Sequence, residues 1–266
     1  MSRAKTTGLF VARLFGFRRA KPTTQLGKYV RNANRALRIV AWLYVALLIF
    51  PQVLFAYNVN AKGVTVYSRA PLPRETTTRI EEAMDLVSQS ELAVPGRTER
   101  IFLCNNPWLY RLFYPIQKES FAICYPITGN IFVAEADLVH NVARSPAPVN
   151  NKRAFSSTAA HEITHDLIRQ HLGVIRDVRL AKWVREGYPD YVARESSFPE
   201  EEGVRNLREG NEVSSGSFQY FVYREMVRHL AEDRHLSFDE IEKRSGDSVA
   251  VKAETVAALK GKVRQP

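Results

Sequence analysis

The stretch SSTAAHEITHDLIRQHLGV, residues 156–174, holds three of the six histidines in the chain, His161, His165 and His171. His161 and His165 stand four positions apart, which places their imidazoles about 40° apart on one helix face, within reach of a single metal ion. Glu162, one position round, sits beside such an ion without ligating it. There a carboxylate can take a proton from a water that the ion polarises. The chemistry this set suits is hydrolysis assisted by Zn2+. Two imidazoles leave a third ligand to be found, and His171 and Glu186 are the two candidates. A helix running unbroken through HDLIRQHLG to Gly173 carries His171 about 80° round from His161 and more than about 10 Å along the axis. His171 then cannot share the ion. Its expected place is the last helical turn, against the helix dipole or solvent.

The elements that must hold these residues come in an α+β order, strands first and helices later. KGVTVYSR (62–69) alternates as a strand, RETTTRIEEAMDLVSQSEL (74–92) has helical periodicity, and RTERIFLCN (97–105) is a second strand. SFAICYPITGNIFVAEADL (120–138) reads as a hairpin turning at Thr128, Gly129 and Asn130. Helices are expected at 154–172, from near Trp183 to Tyr188, at 217–232, and more weakly at 238–243 and 249–260. The segment VARSPAPVNNKR (142–153) reads as the loop joining a sheet-rich part, 62–141, to a helical part, 154–266. Phe218, Phe221, Tyr223 and Met226 form a stripe expected in the core.

Around Glu186, AKWVREGYPDYVA (181–193) resembles the gluzincin peptidases, the thermolysin-like and aminopeptidase-like zinc enzymes. In these, HExxH is followed by a second helix bearing a glutamate ligand, often as WxxEGxxxY. Trp183, Glu186, Gly187 and Tyr191 stand in that pattern here. In the metzincin pattern, HExxHxxGxxH, a glycine ends the helix so that a third histidine swings back; Ile168 occupies that place in this chain. The gluzincin resemblance covers about residues 120–230. It implies a zincin-like domain with zinc held by His161, His165 and Glu186, and Glu162 as general base. It also implies that Asp190 orients His161 through its second ring nitrogen. Pro189 is expected in the first turn of the second helix, where its missing N–H costs nothing. NIFVAEADL (130–138) is similar to the zincin edge strand that pairs with an extended peptide. Residues 216–230 are similar to the helix behind the site, from which a Tyr or His holds the oxyanion. Tyr220, Tyr223 and His229 lie in range, and the sequence assigns the role to none of them.

Residues 1–38 carry ten Lys or Arg and no Asp or Glu, which leaves 28 of each sign in the other 228 residues. A neutral body with a basic tail argues against a nucleic-acid partner. Next comes IVAWLYVALLIFPQVLFAY (39–57), nineteen residues without a charge, long enough as a helix to span roughly 30 Å of hydrocarbon. The basic tail orients such a signal anchor with its N-terminus cytoplasmic and the chain after Tyr57 on the periplasmic or extracellular side. A signal peptide cleaved after Ala61, or a mitochondrial transit peptide, is the competing reading. GLFVARLFGFRRAK (8–21) sets Leu9, Phe10, Leu14 and Phe17 among Arg13, Arg18 and Arg19, either lying on anionic lipid or solvated. Cys104 and Cys124 both follow the apolar run and are expected either as a disulfide or as two buried thiols.

These features point to a membrane-anchored zinc metallopeptidase acting on a peptide or protein substrate. The alternative is a zinc-binding but inactive domain that recognises peptides or cell-envelope partners. A third reading, an intramembrane protease, has little support, because RAFSSTAAHEITHDLIRQH is too polar for a span. Nothing in the sequence specifies an oligomeric state.

Overall fold

The computed structural model describes residues 24–116, 119–211 and 213–262. The chain divides into two units, Met1–Val53 and Leu54–Pro266. In the first, helix α1 (Gln25–Ile49) carries Lys28, Arg31, Arg35 and Arg38 at helical spacing, then turns wholly apolar. Its Lys28–Ile49 portion, 22 residues, is long and apolar enough to cross a membrane and is 0% buried. The helix stops before Pro51, whose ring cannot continue it. The expected span 39–57 is thereby corrected: the helix begins earlier, within the basic tail, and ends at Ile49. Pro51–Leu54 form one 3-10 turn and Tyr57–Ala61 a strand. The amphipathic stretch 8–21 lies outside the described residues.

The second unit opens with β1 (Tyr57–Ala61), β2 (Val64–Ser68), α2 (Thr76–Ser88), β3 (Glu99–Leu103), α3 (Pro107–Phe113), β4 (Ala122–Cys124) and β5 (Asn130–Val133). Its five strands lie in the order β1-β2-β3-β5-β4. The inner three are parallel, and β1 and β4 run antiparallel along the two edges. A second antiparallel sheet follows, of β6 (Glu135–Asp137), β7 (Val142–Arg144) and β8 (Lys152–Ala154). Then come α4 (Phe155–Leu172), α5 (Val174–Arg179), α6 (Lys182–Ala193), α7 (Glu200–Glu209), α8 (Gly216–Arg228), α9 (Phe238–Lys243) and α10 (Ser248–Lys262). The fold is α+β, as expected.

Both faces of the five-stranded sheet are covered, which is why 101–103 of β3 and 131–133 of β5 are apolar at every position rather than alternating. On one face Val64, Val66, Ile101, Leu103, Ile131 and Val133 join α2 and α4 in the main core. The other face is aromatic: Phe102 and Phe132 stack at 5.2 Å, Phe113 lies 4.1 Å from Phe132, and Phe55 packs 5.2 Å from Phe102. Phe55 therefore belongs to this core, although its apolar surroundings in sequence resembled a membrane span.

Three further expectations are corrected. Residues 130–138 are not one edge strand: β5 lies between β3 and β4, and 135–137 pass to the second sheet. The free edge belongs to the other hairpin arm, β4. Residues 142–153 are not a plain loop, since β7 and β8 lie at their two ends. Cys104 and Cys124 are free, buried thiols. Strand β5 runs between them, and strands two apart are separated by roughly 9.5 Å, beyond the roughly 7 Å a disulfide spans.

Candidate metal centre

Helix α4 is anchored at its start by side chains from elsewhere. Asn141, at φ 54°, accepts the Ser156 N–H on Oδ1 at 3.0 Å and the Phe155 N–H on its carbonyl at 3.2 Å. The Glu195 carboxylate accepts the Ala154 N–H. These contacts satisfy donors that a helix N-terminus leaves open. The helix runs unbroken through both histidines to Gly173, whose φ of 77° and ψ of 156° suit glycine almost alone. Ile163 and Leu167 bind one side of α4 into the core. His161 and His165 lie four apart on its opposite flank.

Helix α6 brings the second half of the site. Gly187 lets α6 press against α8: a Cβ there would sit 2.5 Å from the Tyr223 carbonyl oxygen. Pro189 departs from expectation. The helix begins at Lys182, so the proline falls in its interior rather than its first turn, and the carbonyl of Arg185 loses its usual i+4 donor. Packing of α6 between α4 and α8 holds the helix through this interruption.

The donor atoms of His161, His165 and Glu186 all lie within 4.8 Å of one another. His161 Nε2 is 3.1 Å from His165 Nε2, and Glu186 Oε2 is 3.6 Å from His165 Nε2 and 4.0 Å from His161 Nε2. Ligand atoms about 2.05 Å from a tetrahedral zinc stand about 3.3 Å apart, so two imidazoles and one carboxylate oxygen at these spacings fit that ion. Behind them His161 Nδ1 donates to Asp190 Oδ1 at 2.7 Å, which leaves the Nε2 lone pair facing the cluster. Burial works against an ionised Asp190, yet the Arg153 guanidinium and His161 outweigh it and hold its carboxyl below the usual range. Burial also opposes the charge on Glu186, but the hydrogen bond and charge of His165 bring its carboxyl down to about 2. His165 is raised in turn: burial alone would lower it, and Glu186 prevails.

Glu162 is 7% exposed and follows His161 on the helix. Burial raises the Tyr114 hydroxyl pKa, with further contributions from the negative charges of Glu162 and Glu186. Tyr220 is shifted likewise, by burial and then by Glu186 and Asp190, and Tyr223 by burial with Glu186 contributing. His229 is turned elsewhere, its Nδ1 2.8 Å from Asp233 Oδ2 in a π-helical turn. His171 stands apart from the cluster, as the helix argument required. Its Nε2 lies 2.6 Å from Asp239 Oδ1 on α9.

Two residues of this neighbourhood escaped the sequence reading. Tyr114 ends a helix, α3, that the sequence did not announce. Arg153 lies 37 positions before Asp190 but pairs with its Oδ1 at 2.9 Å. No local pattern marks either one. The chain matches no family model, and no curated protein matches it.

Proposed function

We propose that the chain is a membrane-anchored zinc metallopeptidase with a gluzincin-type centre on a zincin-like domain. The observation that carries this reading is the meeting of His161, His165 and Glu186 from two helices, with Glu162 beside them and Asp190 behind His161. Bound there, zinc would supply Lewis acidity toward water and toward the scissile carbonyl. Asp190 holds His161 in the tautomer whose Nε2 can ligate. Arg185 Nε, 3.5 Å from Glu186 Oε1, leaves Oε2 as the oxygen facing the imidazoles. Glu162 takes the proton of the attacking water and returns it to the leaving amine.

An extended peptide would add to the free edge of β4. Tyr125 N–H donates to Asn130 and Ala134 N–H to Phe121, so the backbone polar groups of Ala122 and Cys124 point away from β5, toward that edge. Helix α1 serves as the anchor, and the excess of basic residues in 1–38 sets the N-terminus on the cytoplasmic side, with 54–266 on the other.

The test uses the full-length chain in detergent micelles, with zinc counted by elemental mass spectrometry and hydrolysis read on a peptide library. One zinc per chain is expected in wild type and in Glu162→Gln, with hydrolysis in wild type alone. Zinc-loaded wild type that cleaves nothing in the library would favour the inactive peptide-recognising domain. Absence of zinc from wild type, or full activity in Glu162→Gln, would overturn the proposal.

A further inference from the structure

Arg153, the central residue of β8, lies just ahead of α4 and takes no part in the chemistry above. It is 9% exposed, and its guanidinium stands 5.9 Å from the Phe121 ring centre. Nη1 pairs with Asp190 Oδ1 at 2.9 Å, and Nη2 donates to the Glu195 carbonyl at 2.9 Å. The oxygen it contacts on Asp190 is the one that accepts from His161 Nδ1. Arg153, Asp190 and His161 are thus joined at a single atom. Glu195 answers from its side: its carboxylate accepts the N–H of Ala154, at 3.1 and 3.0 Å, where α4 begins. Arg153 and its neighbour Ala154 therefore clasp the C-terminal end of α6 at two points.

We propose that Arg153 is a positioning residue of the metal centre, orienting His161 through Asp190. This rests on the metal-centre reading above. The physical argument concerns Asp190, a carboxylate 1% exposed. With His161 as its single partner, a buried anion is poorly compensated and free to turn about its Cα–Cβ and Cβ–Cγ bonds. A guanidinium fork that also grips the Glu195 carbonyl removes both freedoms, because its donors are fixed in one plane. An ordinary packing ion pair at the same place would stabilise the fold without altering how the cluster holds a metal.

The experiment titrates the full-length chain in detergent micelles with cobalt(II), read by its visible absorption bands, and with zinc against a competing chelator. Wild type, Arg153→Met, Arg153→Lys, Asp190→Asn and the Arg153→Met/Asp190→Asn double variant are compared. Arg153→Met is expected to weaken metal binding about 10- to 100-fold, the range typical of residues that orient a ligand, and to shift the cobalt bands. Arg153→Lys should recover part of both. In the Asp190→Asn background Arg153→Met should add little. Wild-type affinity and bands in Arg153→Met, or losses in the double variant that simply multiply, overturn the proposal and leave the metal-centre reading in place. Wild type that binds neither metal overturns both. Should Arg153→Met fail to fold, Arg153→Lys decides: altered bands with severalfold weaker binding support the role, and wild-type values overturn it.

Discussion

His165 Nε2 lies 3.6 Å from Glu186 Oε2, although 21 positions separate the two residues and they stand on different helices. That contact fixes which residue completes the cluster. His171, six positions beyond His165 on the same helix, is turned to Asp239 instead. Glu186→Ala should therefore lose zinc, whereas His171→Ala should keep one zinc per chain and lose less than about 1 kcal/mol of stability, its pair with Asp239 being exposed. Elemental analysis and urea unfolding of the two variants check this; zinc lost with His171→Ala alone would refute the assignment.

Gly187 is expected to be intolerant of any side chain. The nearest atoms to an added Cβ are backbone, Tyr223 O at 2.5 Å and Tyr223 C at 2.8 Å, so α6 and α8 would have to separate. Gly187→Ala should cost about 1–3 kcal/mol, the range for overpacking, despite alanine's better helix propensity. An unchanged urea midpoint would contradict the close packing of these helices.

The two cysteines should behave as inert core residues. Burial pushes the thiols of Cys104 and Cys124 up to about 12, so neither is ionised near neutrality. Native protein treated with iodoacetamide should gain no adduct, and unfolded protein should gain two without prior reduction. A disulfide-linked peptide in the mass spectrum would show that β5 does not lie between them.

The first strand bears on processing. Ala61 pairs with Val64 across the turn at Lys62 and Gly63, so cleavage after Ala61 would remove all of β1 from the sheet. The expressed protein should retain residues 57–61, as N-terminal sequencing would show. A mature chain beginning at Lys62 would mean that β2 can serve as the sheet edge.

A pH dependence follows at the C-terminal helices. Arg244 grips Glu254 at 3.0 and 2.7 Å, and this hydrogen bond holds the Glu254 carboxyl below its ordinary 4.5. A group ionising more easily in the folded state contributes stability above its unfolded pKa and loses it as the pH falls through the folded one. Glu254→Gln should thus be less stable than wild type at neutral pH by under about 1 kcal/mol. The difference should close in acid, below the folded value; thermal melts at both pH values would reveal a gap that persisted.

What the sequence determined by itself was local. The spacing of His161, Glu162 and His165, and the unbroken helix that carries His171 out of reach before Gly173, depend on residues within a few turns of one another. The pattern around Glu186 was legible for the same reason. Tertiary structure decided the rest. Residues 39–57 share one apolar composition, but Pro51 ends the helix and Phe55 has an aromatic sheet face to join, so part of the run folds with the second unit. β5 could have formed an edge; its place between β3 and β4 depends on pairings that no local period encodes. Pro189 sits inside a helix because packing against α4 and α8 outweighs its local preference. Arg153 meets Asp190 because β8 delivers it to the end of α6, a closeness in space that separation in sequence conceals.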